Sequence, residues 1–190
     1  MQQYLGEHFD DQHKRSLQLL DTDLLKQMNS ILQFDQYIRM DWKMDSNLTY
    51  RQYIGRYGDS VNFQRVKALI EASKFIGYKN SGAKSLDFLP VLTHIGDHNE
   101  ENWNYLFNVL KKEVMAGNIS PVLVSIIVDR HYTGSQNKKP CSYYGRWQGR
   151  KLDLCDCKNV DKIRDEIGLP DLKTEYEIKK IKIPECYENK

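Results

Sequence analysis

The feature that most constrains the fold is a run of mostly apolar residues, 122–128, followed directly by the charged pair Asp129-Arg130. Ser120-Pro121 precedes the run, and proline fits the first position of a helix, where its missing N–H costs nothing. The run is rich in β-branched residues, so a buried strand is the alternative to a helix. Because an unpaired carboxylate is expensive to bury, Asp129 needs a cationic or multi-donor partner, and we expect Arg39 or Arg130.

Apolar residues recur at three- and four-residue spacing through much of the chain, which predicts amphipathic helices. The predicted helices cover residues 22–42, 60–76, 86–95, 100–116, 120–130 and 159–168. Pro90 lies inside the third of these, which therefore begins at Leu86 or only at Leu89. Residues 43–58 are polar and predict a connecting loop, with or without a short helical turn.

The C-terminal part of the chain predicts a small amount of β-structure. Residues 143–155 partly alternate apolar and polar side chains around Gln148-Gly149, which indicates a β-hairpin. Residues 174–182 fit a helix or a strand. The predicted fold class is mainly α: one compact helical domain over residues 1–190, with residues 1–20 loose or in a short helix.

The charge balance argues against a nucleic-acid or membrane surface, since 28 Lys and Arg against 26 Asp and Glu leave a net charge of +2. Residues 1–11 are polar and lack the apolar core of a secretory signal. No apolar run approaches the ~20 residues that span a bilayer. We therefore expect a cytoplasmic protein, and a secreted chain whose signal has been removed is the alternative.

The four cysteines are Cys141, Cys155, Cys157 and Cys186. An even number allows disulfides, but a chain of this size does not need them and the cytoplasm keeps thiols reduced. The Cys-x-Cys spacing is not that of a zinc knuckle or a redox site. The sequence therefore predicts free structural thiols, no structural metal and no cofactor.

Asp35, Gln36 and Arg39 are the first candidate ligand-binding residues. Asp35 and Arg39 are separated by one helical turn, so they share a face and flank Gln36. The guanidinium could bind a carboxylate or a phosphate with two parallel hydrogen bonds. The alternative, which spacing alone favours, is an ion pair within a solvated helix face.

His94 and His98 are also one helical turn apart and could chelate a metal with Asp97 or Glu101. The glutamate that follows the first histidine of a zinc-protease helix is absent, because Ile95 stands there. A hydrogen-bonded core histidine is therefore the favoured interpretation of His94. No phosphate-binding glycine loop, nucleophile elbow or dinucleotide fingerprint is present.

Residues after Asp129-Arg130 supply three further candidates. Tyr143 and Tyr144 would face opposite sides of a strand, so only one can point inward. Arg146-Trp147 with Arg150-Lys151 forms an aromatic and basic patch that could stack on nucleic acid, although a solvated hairpin tip is favoured. Cys141 and His131 could pair as nucleophile and base.

In their order, these residues resemble a bacterial family of unknown function. Its pattern is a helical Asp-Gln-x-x-Arg, an Asn-containing helix ending near Gly-Trp, a Gln-His-Ala-Asp helix, a helix ending in Asp-Arg, a Gln-x-Tyr-Gly-Thr-Gln strand and a late Gly-Leu. The matches here are Asp35-Gln36 with Arg39, Asn62 with Gly77-Tyr78, His94 with Asp97, Asp129-Arg130, Tyr144-Gly145 and Gly168-Leu169.

The resemblance spans residues 24–172 and implies a fold and a candidate site, but no reaction. The family's glutamines are absent, since Thr93 and Ser142 stand in two of their places and Arg146-Trp147 replaces Thr-Gln. If those glutamines bind a substrate, this chain has lost them.

Two functions follow as hypotheses. The favoured one is a binding or interaction protein, for a small anionic ligand or a protein partner, in which the polar residues form a structural network. The other is a hydrolase or transferase on a small anionic substrate, with His94 or Asp129 as the catalytic candidate and Arg39 or Arg130 as the anion clamp. Either hypothesis predicts that Asp35, Arg39, His94 and Asp129 converge.

Overall fold

A computed structural model describes residues 21–40, 49–72, 74–96, 100–134, 139–146 and 153–188. The described part is mainly helical, as the sequence predicts. The helices are α1 (Thr22–Met40), α2 (Tyr50–Tyr53), a π-helix (Ile54–Asp59), α3 (Ser60–Glu71), α4 (Tyr78–Ser81), a 3-10 helix (Gly82–Phe88), α5 (Leu89–Ile95), α6 (Glu100–Met115), α7 (Pro121–Thr133), α8 (Val160–Asp165), α9 (Leu172–Lys179) and α10 (Glu185–Glu188). None of these is both long enough and apolar enough to cross a membrane.

Local capping explains where two of the long helices begin. The Asp21 Oδ1 atom accepts a hydrogen bond from the Leu24 backbone N–H at 2.9 Å, at the start of α1. The Ser120 hydroxyl accepts one from the Val122 N–H at 3.2 Å, and Pro121 occupies the first helical position of α7. The apolar run before Asp129 is therefore a helix, and the strand alternative is wrong.

Several predicted boundaries differ from the observed ones. Residues 50–58 are helical rather than a loop, while 41–48 lie outside the described residues. The helix predicted over 60–76 ends at Glu71, and the one containing Pro90 begins at Leu89 after a 3-10 turn. Residues 172–179 form a helix.

The predicted hairpin over 143–155 is not supported. No strand occurs in the described part of the chain, and Ser142 and Leu154 form a single parallel bridge. The Ser142 N–H donates to the Asp153 carbonyl at 2.9 Å, and the Cys155 N–H donates to the Ser142 carbonyl at 3.0 Å. The N–H groups of Tyr144 and Arg146, which a hairpin ladder would use, donate to the Asp129 carboxylate instead. Residues 147–152 lie outside the described part.

The chain divides into two compact units, Met1–Val91 and Leu92–Lys190. In the first unit, α1 packs against α3 and the π-helix, with Leu24, Met28, Ile31, Phe63, Val66 and Leu69 buried. Gly58 permits a close approach here, because a Cβ at that position would lie 2.9 Å from the Cγ2 atom of Ile38. The predicted single domain stays a prediction.

In the second unit, α6 packs on α7 and α9 packs on α8. Leu154, Val160 and Leu172 form a buried cluster, against which Cys157, Cys186 and Tyr187 pack. Gly145 has a φ of +71°, and a Cβ there would lie 2.5 Å from the Leu172 Cδ1 atom. Glycine is therefore required at this position both by its backbone conformation and by the contact.

The prediction of free thiols is wrong, because all four cysteines form disulfides. Cys141 is bonded to Cys155 and Cys157 to Cys186, with Cα atoms 5.0 and 5.9 Å apart. The Cys155-x-Cys157 spacing did not reveal the pairing, because Cys155 and Cys157 each bond to a cysteine elsewhere in the chain. Both disulfides lie in the second unit.

Candidate functional site

Arg39 joins α1 to the end of the π-helix. Its Nη2 atom lies 3.0 Å from Asp35 Oδ1 and 2.5 Å from Asp59 Oδ1, and its Nε atom donates to Asp35 Oδ2 at 3.3 Å. Asp35 and Asp59 are buried, and Gln36 donates to Asp35 Oδ2 at 2.9 Å. The predicted pair therefore exists, but it forms an interior network with a second carboxylate and not a solvated pair.

This network leaves Arg39 poorly suited to clamp a ligand. Burial lowers its pKa, but the hydrogen bond that it donates to Asp35 and the charge of Asp59 outweigh that effect, so the pKa lies above its ordinary value. The guanidinium fork is directed at two carboxylates of the same unit. The sequence did not indicate Asp59 as a partner of Arg39, because the two residues lie 20 positions apart.

Asp129 is 1% exposed at the end of α7. Its Oδ1 atom accepts from the Tyr144 N–H at 2.6 Å, and its Oδ2 atom accepts from the Ser142 hydroxyl and the Arg146 N–H, each at 2.6 Å. Burial raises the pKa of Asp129, and these hydrogen bonds oppose the rise without cancelling it. The carboxylate therefore holds residues 142–146 in place.

The predicted burial of Asp129 and its need for several donors are confirmed, but the predicted arginine partner is wrong. Two backbone amides and a hydroxyl satisfy the carboxylate, whereas Arg130 is exposed. A hydrogen-bonded carboxylate needs no counter-charge if enough donors point at it.

A second network includes the backbone carbonyl of Tyr144, a buried residue whose N–H donates to Asp129. Arg164 is fully buried and donates to the carbonyls of Tyr144 and Pro170 and to the Glu175 carboxylate. Glu175 also pairs with Arg146, at 2.7 Å, and with Lys179. Sequence reasoning missed this network, and only the helical spacing of Glu175 and Lys179 signals part of it.

The pKa values of this network follow from its contacts. Burial raises the pKa of Glu175, but hydrogen bonds from Lys179 and Arg164 and the charge of Arg146 outweigh it, so the pKa lies below its ordinary value. Burial also raises the pKa of Tyr144, to which the neighbouring Tyr143 and Asp129 add. Glu175 is therefore ionised, and its carboxylate pairs with three cationic side chains.

His94 lies half-buried on α5, while Asp97 and His98 fall outside the described residues. Within the described part of the chain, no three His, Cys, Asp or Glu side chains gather closely enough to hold a metal ion. The Cys141–His131 nucleophile pair is wrong, because Cys141 is in a disulfide.

His131 instead stacks on Trp103, with ring centroids 3.8 Å apart and planes 8° from parallel. Burial lowers its pKa to about 4, although a hydrogen bond with the Gly96 backbone works in the opposite direction. The imidazole is therefore neutral near pH 7 and serves as a packing group. Its aromatic neighbours also include Tyr132.

The first unit contains an open groove of about 570 Å³ between α1 and α3, which we call the α1–α3 groove. Its polar lining consists of Lys26, Gln27, Ser30, Arg65 and Lys74, and its apolar lining consists of Ile31, Ala68, Leu69 and Ala72. The volume falls in the range of small-molecule sites. Sequence reasoning did not select these residues, because each alone is ordinary for an amphipathic helix.

The predicted site residues are divided between the two units. Asp35, Gln36 and Arg39 belong to the first unit, and His94, Asp129, Arg130 and Tyr144 belong to the second. Their predicted convergence stays a prediction. Comparison with protein-family models, with curated proteins and with solved structures finds no match, so the resemblance to the bacterial family also stays a prediction.

Proposed function

We propose that this chain is a non-catalytic binding protein that holds a small ligand in the α1–α3 groove. One observation carries the proposal: the described residues that line the groove offer cations, an amide, a hydroxyl and apolar surface, but no carboxylate, imidazole or thiol. General acid–base and nucleophilic catalysis depend mainly on those missing groups. The lining is suited to recognition and lacks a proton acceptor that could activate Ser30.

The contacts of Asp129 and Arg39, which the sequence suggested as a catalytic residue and an anion clamp, support the same proposal. Asp129 is sealed and accepts three hydrogen bonds, so it has no room to exchange a proton with a substrate. Arg39 is directed at Asp35 and Asp59 and is a poor anion clamp. These groups act as structural polar networks, which raise the cost of alternative packings.

The two disulfides bear on the kind of cellular compartment in which the protein works. Disulfides persist in oxidising compartments and are rare in the cytoplasm. The cytoplasmic location was predicted together with reduced thiols, whereas Cys141–Cys155 and Cys157–Cys186 are bonded. We propose that the chain works in an oxidising compartment, as the alternative of a secreted chain requires.

Equilibrium dialysis against a defined mixture of metabolites tests the proposed function. Mass spectrometry of both chambers would measure which compounds the protein retains and whether any compound is consumed. We expect at least one compound to be retained without chemical change. Consumption of a compound, dependent on the folded protein and on His94, would contradict the proposal in favour of an enzyme.

A further inference from the structure

We infer that the α1–α3 groove binds an amphipathic anion, a carboxylate or phosphate joined to an apolar chain, and that Arg65 binds the anionic group. The inference rests on the proposed function and names its ligand class. It assigns a site distinct from Asp35, Arg39 and Asp129, on which the sequence-based hypotheses were built.

Arg65 is held in a fixed position without a carboxylate. Its Nη2 atom donates to the Ser30 hydroxyl at 2.7 Å, and its guanidinium carbon lies 5.9 Å from the centre of the Phe34 ring. No carboxylate pairs with it among the residues that the structure describes. A pre-organised guanidinium with remaining N–H donors is well suited to bind carboxylate or phosphate oxygens.

Among the described residues around the groove, Arg65 is the cation that pairs with no carboxylate. The nearby lysines each face a carboxylate: Lys26 with Asp23 at 3.4 Å, Lys74 with Asp21 at 3.0 Å, and Lys67 with Glu71 at 3.8 Å. Three lysines and three acids cancel, so the described charges give a local surplus of one positive charge at Arg65. A single anionic group would balance it.

The apolar part of the lining determines the rest of the ligand. Ile31 and Leu69, which also line the groove, are 2% and 6% exposed and offer almost no surface to a ligand, whereas Ala68 and Ala72 are exposed on the α3 side. An inorganic ion would leave this surface in water. An apolar chain beside the anionic group would remove it from water, at about 25 cal/mol for each Å² covered.

Isothermal titration with octanoate tests the inference, with 1-octanol as the neutral ligand of equal length and acetate as the anionic group alone. We expect octanoate to bind more tightly than either. Arg65→Gln keeps a polar side chain but loses the charge, and should weaken octanoate binding at least about tenfold. Lys67→Gln, on the same helix and equally basic, should bind octanoate as the wild type does.

Ala68→Glu supplies an independent test, because Ala68 is exposed and one helical turn from Arg65. The new carboxylate should pair with Arg65 and repel the ligand's anion, so octanoate binding should be lost while the helical circular-dichroism signal and the melting temperature are kept. Octyl phosphate, tested in the same series, distinguishes a phosphate from a carboxylate preference.

Equal binding of octanoate and 1-octanol, or unchanged octanoate binding in folded Arg65→Gln, would overturn the inference. Neither result would overturn the proposed binding function, which fails if the dialysis experiment finds no retained compound or finds consumption that depends on His94. Conversely, octanoate binding that depends on Arg65 would stand even if a catalytic activity were found elsewhere in the chain.

Discussion

At the scale of the residue, Asp129 illustrates how a buried carboxylate can organise a segment that has no regular structure. Its three donors come from alternate residues, Ser142, Tyr144 and Arg146, so one carboxylate satisfies a hydroxyl and two backbone amides of this irregular segment. The side chain thus has a structural role that explains its burial.

Asp129→Asn should therefore lower the free energy of unfolding by about 1–3 kcal/mol, because the amide NH₂ would face a donor that then has no acceptor. Denaturant unfolding followed by circular dichroism would measure the change. Asp165→Asn is the control, since Asp165 is exposed and should change the stability by less than about 0.5 kcal/mol. Equal effects of the two substitutions would show that Asp129 is not sealed from solvent.

Asn62 presents the opposite case, a buried polar side chain that makes no hydrogen bond to any residue that the structure describes. Both its Oδ1 and Nδ2 atoms are buried without a partner in the described structure. Asn62→Leu should raise the free energy of unfolding by about 1–3 kcal/mol, because it removes unsatisfied polar atoms at similar volume. Asn118→Leu is the matched control and should lower it, since the buried Asn118 donates to Glu113 Oε2 at 2.8 Å. Destabilisation by Asn62→Leu would indicate that this amide does have a partner in solution.

At the scale of the element, α9 contacts α8 through a salt bridge as well as through apolar side chains. Glu175 on α9 is the common partner of Arg164, Arg146 and Lys179. Because removal of one partner leaves the other charge buried, this helix pair should be sensitive to protonation.

The pKa of Glu175 lies below its ordinary value of 4.5, so the unfolded chain binds its proton more readily than the folded chain. The stability that Glu175 contributes should be complete above pH 4.5 and decrease as the pH falls through the lower folded-state pKa. Denaturant midpoints between pH 7 and 3 should therefore fall less steeply for Glu175→Gln than for the wild type. Glu177→Gln, on an exposed pair with Lys173, should retain the wild-type slope; a reduced slope there as well would show that the acid sensitivity is not specific to Glu175.

The elements also show where the spacing of apolar residues is sufficient to predict secondary structure. Helices α1 and α6 were predicted because an apolar stripe repeats along each of them, whatever it packs against. The α7 helix was predicted instead from Ser120-Pro121 before an apolar run, with a strand as the alternative. The hairpin prediction failed because alternation in residues 143–155 was assigned to a strand partner, whereas Asp129 and a disulfide hold this segment. The π-helix gave no signal, since residues 54–59 contain two glycines and two charged side chains.

At the scale of the whole molecule, the two disulfides concentrate covalent restraint in residues 141–186. They join cysteines 14 and 29 positions apart, so each should stabilise the folded state by about 3–4 kcal/mol through the lost entropy of the unfolded chain. Reduction with a phosphine should therefore lower the melting temperature.

The variant Cys157→Ser/Cys186→Ser isolates one of the two bonds and should lose about half of the stability lost on full reduction. Thiol titration of the denatured, unreduced protein checks the premise, and we expect no free thiol. Four titratable thiols in protein isolated under non-reducing conditions would contradict both the disulfides and the proposed oxidising compartment.

The helical segments, the burial of Asp129 and the pairing of Asp35 with Arg39 could be predicted from the sequence, because each depends on neighbours within one or two helical turns or on local polarity. Four other features became visible only in the folded chain: the contact of Asp59 with Arg39, the backbone amides that hold Asp129, the pairing of the cysteines and the position of Arg65 beside a groove. These contacts join residues 13 to 35 positions apart. Their formation depends on the path of the chain between the partners, which short-range periodicity does not encode.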